Sequence, residues 1–189
     1  MGRTVLVVGG GGREHALAIG LLASESVDAV HVAPGNAGTA NIATNHNVSA
    51  GDVGGQVELA QTLGADLVVV GPEGPLVDGL SDALRTVNIP SFGPHADGAM
   101  LEGSKDFAKQ VMLKLNIPTA GVQYLTSETN LDEAVDCWGA PWVVKRDVLA
   151  GGKGVVVTED RDEALDFIRT SIESDGMVLL EEFLAGEEA

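Results

Sequence analysis

Four apolar residues at positions 5–8, followed at once by four glycines, constrain the fold more than any other part of the chain. An unbroken apolar run is typical of a strand buried on both faces, as in a parallel sheet. The glycines end this strand, and the apolar spacing over 13–22 predicts a helix. Strand, glycine turn and helix in this order open a doubly wound α/β fold. The sequence therefore predicts an open parallel sheet of the Rossmann-like kind.

The glycine turn is a candidate anion site. Free N–H groups at a helix start favour a phosphate, and glycine lets the backbone approach it closely. Gly10, Gly11 and Gly12 are the residues that would do so. A glycine turn that only packs the helix on the strand has the same sequence, so the turn alone leaves both interpretations open.

A dinucleotide site is disfavoured by the residues around this turn. The spacing G-x-G-x-x-G places Glu14 or His15 where the third glycine is needed. The second strand, predicted at 29–33, runs into Pro34 and carries no acid for a ribose hydroxyl. A phosphate-bearing small molecule is favoured instead of NAD or FAD.

Charge and composition exclude several classes of partner. The chain has 28 acidic and 11 basic residues, a net charge of −17 that disfavours nucleic acid and anionic membranes. An ordinary acidic cytosolic protein and one from a salty habitat both fit this charge. A single cysteine, Cys137, excludes an intrachain disulfide and favours a reducing compartment, the cytoplasm. The sequence predicts neither a signal peptide nor a membrane span.

Further strands of the first segment also end in turns. A helix over 53–63 with Gly64 at its end, a strand over 66–70, a helix over 76–86 and a short strand at 89–93 follow, with another short strand near 47–48. Ligands of open parallel sheets bind past the carboxyl ends of the strands. We expect three turns to form one pocket there, with candidates in two further turns: Asn36, Gly38, Thr39, Gly71, Pro72 and Glu73.

The second segment has an α+β pattern. A helix over 105–115 precedes a domain boundary predicted near Pro118, which gives domains 1–118 and 119–189. Strands are predicted at 122–125, 141–145, 155–157 and 177–183, with helices at 127–138 and 160–172. The last strand is expected to have an unpaired edge, as in a truncated module, and both a homodimer formed through this edge and a loose terminus fit it.

Basic residues and a glycine loop mark a candidate phosphate site in this segment. Lys145 ends an apolar strand, and Gly151, Gly152, Lys153 and Gly154 follow between two strands, unlike a Walker A loop. Such a loop could close over phosphates, although a flexible hairpin has the same composition. Six of the eleven basic residues lie here: Lys105, Lys109, Lys114, Lys145, Arg146 and Lys153. Lys109 and Lys114 also fit solvated helix positions.

Together these stretches resemble the ATP-grasp superfamily and, more narrowly, the N-terminal part of the phosphoribosylamine–glycine ligase family. The matching segments are VLVVGGGGREHAL, VAPGNAGTA, VVGPEGPLVDGL, FGP, LEGSKDFAK, KLNIPTA, GGKGV and LLEEFLAGEEA, in family order over almost all 189 residues. The resemblance implies a substrate-binding α/β domain followed by an incomplete ATP-grasp module.

The resemblance also implies a reaction and site roles. Family members join glycine to phosphoribosylamine, splitting ATP to ADP and phosphate through an acyl phosphate of glycine. The candidates of the first domain would bind phosphoribosylamine. Lys105 and Lys145 would hold the ATP phosphates, and the glycine loop would close above them. The adenine and ribose would lie against a C-terminal group: Glu181, Glu182, Phe183, Leu184 and Glu188.

Two departures from the family pattern change the expectations. The small residue, Asp and Gly that usually follow the strand lysine are here Arg146, Asp147 and Val148, so the loop entry is expected to differ. The family's magnesium ligands lie past residue 189, so we assign no catalytic or metal-binding residue and expect the chain alone to be inactive. A non-catalytic nucleotide or sugar-phosphate binding module, or another ATP-grasp ligase, remains an alternative; hydride transfer is the remotest.

Overall fold

The computed structural model describes residues 2–148 and 154–186, and it divides into two compact units between Gly103 and Ser104. Within the described residues, no helix is long and apolar enough to cross a membrane.

The first unit is built on a parallel sheet of five strands, which confirms the predicted fold class. In space the strands follow the order β3-β2-β1-β4-β5. Every neighbouring pair is parallel. The strands are β1 (Arg3–Gly9), β2 (Val27–Pro34), β3 (Thr44–Asn45), β4 (Leu67–Val70) and β5 (Ser91–Phe92).

Helices cover both faces of this sheet. They are α1 (Gly12–Leu22), α2 (Val53–Leu63), α3 (Glu73–Val77), α4 (Leu80–Thr86) and α5 (Ala96–Gly103), with a 3-10 turn at Thr39–Asn41. Because side chains alternate along a strand, Leu6 and Val8 join one core cluster and Val5 and Val7 join the other. All four are at most 1 % exposed, as expected for a strand buried on both faces.

Local sequence signals set both ends of α2 in the first unit. Asp52 accepts a hydrogen bond from the Gly55 N–H at the start of α2, and Gly64 ends that helix in the left-handed conformation. The helix predicted over 76–86 was wrong as one element, because Gly79 at φ +87° separates α3 from α4. The short strand lies at Thr44–Asn45 instead of near 47–48.

The second unit has a four-stranded antiparallel sheet with the strand order β6-β9-β7-β8. Its elements are α6 (Lys105–Lys114), β6 (Val122–Thr126), α7 (Leu131–Trp138), β7 (Trp142–Arg146), β8 (Val155–Thr158), α8 (Arg161–Asp175) and β9 (Met177–Glu181). Residues of α7 and α8 form one core with Val144, Val178 and Leu180 of the sheet.

The predicted free edge on the last strand was wrong. β9 lies between β6 and β7 and pairs with both, since strand order in space does not follow strand order in the chain. Val178, Leu179 and Leu180 are fully buried there. The homodimer was expected to form through this free edge, so the structure removes the reason for expecting it.

Helix α6 belongs to the second unit, whereas the sequence placed it before the boundary at Pro118. Ser104 donates a hydrogen bond to Asp147 (3.0 Å), and Lys109 donates to Thr119 (2.9 Å) and to the Ala120 carbonyl (2.8 Å). These contacts tie α6 to the strand region that follows it, and the compact units accordingly divide between Gly103 and Ser104.

An ion pair joins β7 to the end of α8. The Arg146 guanidinium contacts the Asp175 carboxylate through two hydrogen bonds of 2.6 and 2.8 Å. Hydrogen bonding from Arg146 lowers the pKa of Asp175 from its ordinary value. Arg146, one of the basic residues near the candidate phosphate site, is thus engaged in an ion pair within the second unit.

We expect Arg146→Met to destabilise the second unit at pH 7 and to have little effect at strongly acid pH. A carboxyl group whose pKa is lowered by folding stabilises above its unfolded pKa, and this contribution disappears as the pH falls through its folded pKa. Denaturant unfolding of both proteins from pH 7 down to pH 2 measures the difference. A difference that does not shrink on acidification would contradict the prediction.

Candidate functional site

Three turns meet at the carboxyl edge of the parallel sheet. The Asn36 side-chain amide donates to the carbonyls of Gly10 (3.0 Å) and Gly11 (3.2 Å), and the Gly35 N–H donates to Gly9 (3.1 Å). The first and second turns are therefore joined directly. Gly10, Gly11 and Gly12 are exposed, so their backbone is accessible to a ligand.

The second turn is held by its own side chains. The Asn36 side-chain oxygen accepts hydrogen bonds from the N–H groups of Gly38 (2.7 Å) and Thr39 (3.0 Å). Thr39 is fully buried and contacts Asn45, whose amide in turn donates to the Asn36 carbonyl (2.9 Å). Asn36 and Thr39 thus shape the turn, and their side chains are engaged within it.

The third turn is packed against a buried glutamate. Glu14 is 5 % exposed and accepts a 2.6 Å hydrogen bond from the Gly11 N–H. A Cβ atom added at Gly71 would collide with the Glu14 carboxylate, and one at Gly9 would lie 2.6 Å from its Cγ. These glycines are required because Glu14 fills the space beside them. Pro72 and Glu73 follow directly, with Pro72 capping α3.

Arg13 places a positive charge at this edge. It is exposed, and its guanidinium donates to the Gly71 carbonyl (2.7 Å), which links the first and third turns. Neither Arg13 nor Glu14 was predicted as a site residue from the sequence. A Glu three residues after the helix N-cap Gly11 was an available signal for the glutamate.

In the second unit, the candidate site is built on the sheet face opposite α7 and α8. Val144 and Leu180 point into the core, so their neighbours Lys145 and Glu181 point to the other face. Lys145 pairs with Leu179 in the register, which makes Lys145 and Glu181 diagonal neighbours. The two side chains form an ion pair of 2.9 Å.

Burial separates the roles of these charged groups. The Glu181 side chain is 4 % exposed, and the Lys145 side chain is 31 % exposed. Lys109, 8 % exposed, lies 3.4 Å from the same carboxylate oxygen. Lys109 is the buried residue of α6, so the alternative of a solvated helix charge does not apply to it.

Asp147 fixes the start of α6 beside the end of β7. Its carboxylate accepts hydrogen bonds from the Ser104 hydroxyl (3.0 Å) and from the N–H groups of Lys105 and Asp106. A negative charge at a helix N-terminus is stabilising, and it satisfies N–H groups that lack partners within the helix. The Lys105 ammonium donates to the Val148 carbonyl (3.3 Å). Lys105 is thus held next to the segment that follows Lys145.

The remaining predicted residues are placed as follows. Gly154 is buried, and its carbonyl accepts from the Arg146 N–H (2.7 Å). The Glu182 side chain accepts from the Gly121 N–H (3.0 Å), while Phe183 and Leu184 are exposed. Gly151, Gly152, Lys153 and Glu188 lie outside the described residues.

Comparisons with known proteins agree along the whole chain. Residues 3–102 match the family model for the phosphoribosylglycinamide synthetase N domain, and residues 103–189 match the model for the ATP-grasp (A) domain of the same enzyme. Phosphoribosylamine–glycine ligase from Streptomyces coelicolor is 51 % identical over 184 residues, covering 97 % of this chain and 43 % of that protein. The Mycobacterium bovis ligase is 49 % identical over 189 residues, covering 97 % and 45 %.

Solved structures show the same fold. The Thermotoga maritima phosphoribosylamine–glycine ligase has a TM-score of 0.74 at 32 % identity, covering 97 % of this chain and 44 % of that one. N5-carboxyaminoimidazole synthetase from Staphylococcus aureus, solved with ADP, has a TM-score of 0.74 at 17 % identity, covering 99 % and 49 %. The chain spans less than half the length of the curated relatives it matches. With both halves matched in order, the chain belongs to the phosphoribosylamine–glycine ligase family.

Proposed function

We propose that this chain supplies the phosphoribosylamine-binding domain and the first part of the ATP-binding module of a phosphoribosylamine–glycine ligase. The enzyme would join glycine to 5-phosphoribosylamine, giving glycinamide ribonucleotide in purine biosynthesis. The observation that carries this proposal is the Lys145–Glu181 ion pair, which lies beside α6 on the face of the second sheet opposite α7 and α8. Family membership supplies the reaction class.

Phosphoribosylamine is assigned to the carboxyl edge of the first sheet. The exposed backbone at Gly10, Gly11 and Gly12 lies at the start of α1, where a helix favours an anion, although the Gly11 N–H is already bonded to Glu14. Arg13 adds charge to this edge, which an overall net charge of −17 otherwise makes unfavourable for phosphates. The ribose would lie against the other two turns, at Gly38 and at Glu73.

ATP is assigned to the second unit. Lys145 keeps about a third of its side chain exposed while Glu181 holds it, so its ammonium can still reach a phosphate oxygen. Lys105 would contribute a second ammonium. The exposed segment at Glu182 and Leu184 would offer backbone groups to the adenine edge. The loop residues Gly151, Gly152 and Lys153 would close over the phosphates, and Glu188 would take the ribose hydroxyls.

Magnesium would neutralise phosphate charge during the transfer. Residues 2–148 and 154–186 contain no group of three or more His, Cys, Asp or Glu side chains that could hold a metal ion. The resemblance implies that the magnesium ligands lie in the family's sequence past residue 189.

The chemistry proposed for the whole enzyme has two steps. A glycine carboxylate oxygen attacks the γ-phosphorus of ATP, forming glycyl phosphate and releasing ADP. The amine of phosphoribosylamine then attacks the glycyl carbonyl and displaces phosphate, and it loses one proton. Positioned cations supply most of the acceleration of phosphoryl transfer. In this chain, Lys105 and Lys145 would bind and orient the ATP phosphates.

We expect the purified chain to release no ADP above background when supplied with ATP, magnesium, glycine and phosphoribosylamine. The resemblance implies that the family's metal ligands lie past residue 189, so phosphoryl transfer by this chain would lack their charge stabilisation. A coupled ADP-release assay tests this, with a full-length relative as the positive control. Turnover proportional to the concentration of this chain would contradict it.

The second candidate function for the polypeptide on its own is ligand binding without catalysis. This candidate is favoured because the chain covers only 43 % and 45 % of the length of two relatives. Titration with MgADP and with ribose 5-phosphate tests both binding units separately. We place the protein in the cytoplasm, without nucleic-acid or membrane partners, on the basis of its net charge and single cysteine.

A further inference from the structure

In the second unit, the carboxylate of Glu181 forms ion pairs with two lysines. Oε2 of Glu181 lies 2.9 Å from the Lys145 ammonium and 3.4 Å from the Lys109 ammonium. With both lysines and the carboxylate ionised, two positive charges and one negative charge leave a formal charge of +1. Glu181 and Lys145 alone would be neutral. Lys109 therefore decides whether this cluster has a positive charge to offer a phosphate.

Lys109 itself is not available to a ligand. Two of the three donors of its ammonium bond the Thr119 hydroxyl (2.9 Å) and the Ala120 carbonyl (2.8 Å), and its charge is paired with Glu181 at 3.4 Å. Its side chain is 8 % exposed. Any effect of Lys109 on a bound phosphate must consequently pass through Glu181.

The burial of the Glu181 carboxylate explains why it is paired with two lysines. A carboxylate that is 4 % exposed loses most of its hydration, and it is tolerated only when paired and hydrogen-bonded. If Lys145 were the sole counter-ion, its charge would be cancelled at close range, where Coulomb interactions are strongest. A second, buried counter-ion satisfies Glu181 and leaves the field of Lys145 directed outward.

We propose that Lys109 is a positioning residue for phosphate binding, which balances the charge of Glu181 so that Lys145 is held in place but stays electrostatically free for an ATP phosphate. The inference rests on the proposed nucleotide binding at Lys145. It assigns a role to a residue that would touch neither nucleotide nor metal.

The test is a double-variant cycle in which one positive and one negative charge of the cluster are removed singly and together. Affinities for MgADP and for tripolyphosphate are measured by calorimetry for wild type, Lys109→Met, Glu181→Gln and the double variant. Lys109→Met should weaken both ligands about tenfold, equivalent to about 1.4 kcal/mol. Adding Glu181→Gln restores the formal charge of +1, so the double variant should bind within about threefold of wild type. Lys109→Arg, which keeps the charge, should also bind well.

Lys109→Gln serves as a second variant if Lys109→Met does not fold, because its amide can still donate to Thr119 or Ala120 without the charge. A merely structural role predicts that the double variant binds as weakly as Lys109→Met, or more weakly. That result, or an unchanged affinity in Lys109→Met and Lys109→Gln, overturns the inference while nucleotide binding by wild type stands. Absence of binding of both ligands by folded wild type instead overturns the proposed nucleotide site, and this inference with it.

Discussion

We expect Lys145→Ala to weaken MgADP binding about 30-fold, corresponding to about 2 kcal/mol, which is typical for a lost hydrogen bond to a charged group. Lys145 is the lysine of the cluster that remains partly exposed, since Lys109 is enclosed by its partners. Removal of Lys145 leaves Glu181 paired with Lys109 alone, and the net formal charge of the cluster falls from +1 to zero. Binding should fall through lost contact and lost charge together.

Lys114→Ala is the matched control for this substitution. Lys114 is an exposed lysine in the last turn of α6, and the ion pairs of Glu181 are formed by Lys109 and Lys145 instead. Calorimetry on both variants, with circular dichroism to verify folding, should show near wild-type affinity for Lys114→Ala. Equal affinities for wild type and a folded Lys145→Ala would refute the assignment of Lys145.

Gly71→Ala is expected to destabilise the first unit by about 2–4 kcal/mol, in the range of severe steric substitutions. The new methyl group would meet the carboxylate of Glu14, which is buried and bonded to the Gly11 N–H. This steric clash can be removed only if the buried Glu14 side chain moves or the turn opens. Because the three turns are tied together, ribose 5-phosphate affinity should fall as well.

Gly20→Ala provides a control of opposite sign. Gly20 lies within α1, and an added Cβ atom there meets nothing within 4 Å. Alanine in a helix interior is favoured over glycine by about 0.5–1 kcal/mol, so stability should rise slightly. Denaturant unfolding compares the two variants with wild type. A Gly71→Ala protein as stable as Gly20→Ala would show that Glu14 does not fill the turn as described.

The sequence was most informative where local chemistry decides structure. The apolar run at 5–8 identified β1, the central strand, and Gly64 marked the end of α2. The same logic predicted turns at the carboxyl edge, and these do meet, through Asn36 and Arg13. Strand ends of a parallel sheet share one edge, so their convergence follows from fold class alone.

Tertiary contacts between distant residues were less predictable. The sequence allowed Lys109 to be a solvated helix charge, yet Lys109 is buried, whereas the apolar Phe107 of the same helix is exposed. A buried lysine needs polar or charged partners, and the charged partner of Lys109, Glu181, lies far along the chain, where no local pattern reports it. The position of β9 at the centre of its sheet was missed for the same reason.

The most direct test of the central claim is calorimetric titration of the folded wild-type chain with ADP and magnesium. We predict saturable binding of one nucleotide per chain, which would show that the residues around Lys145 and Glu181 already form a nucleotide cleft. No binding by a chain shown to be folded would contradict the nucleotide site and leave only the first unit as a candidate for ligand binding.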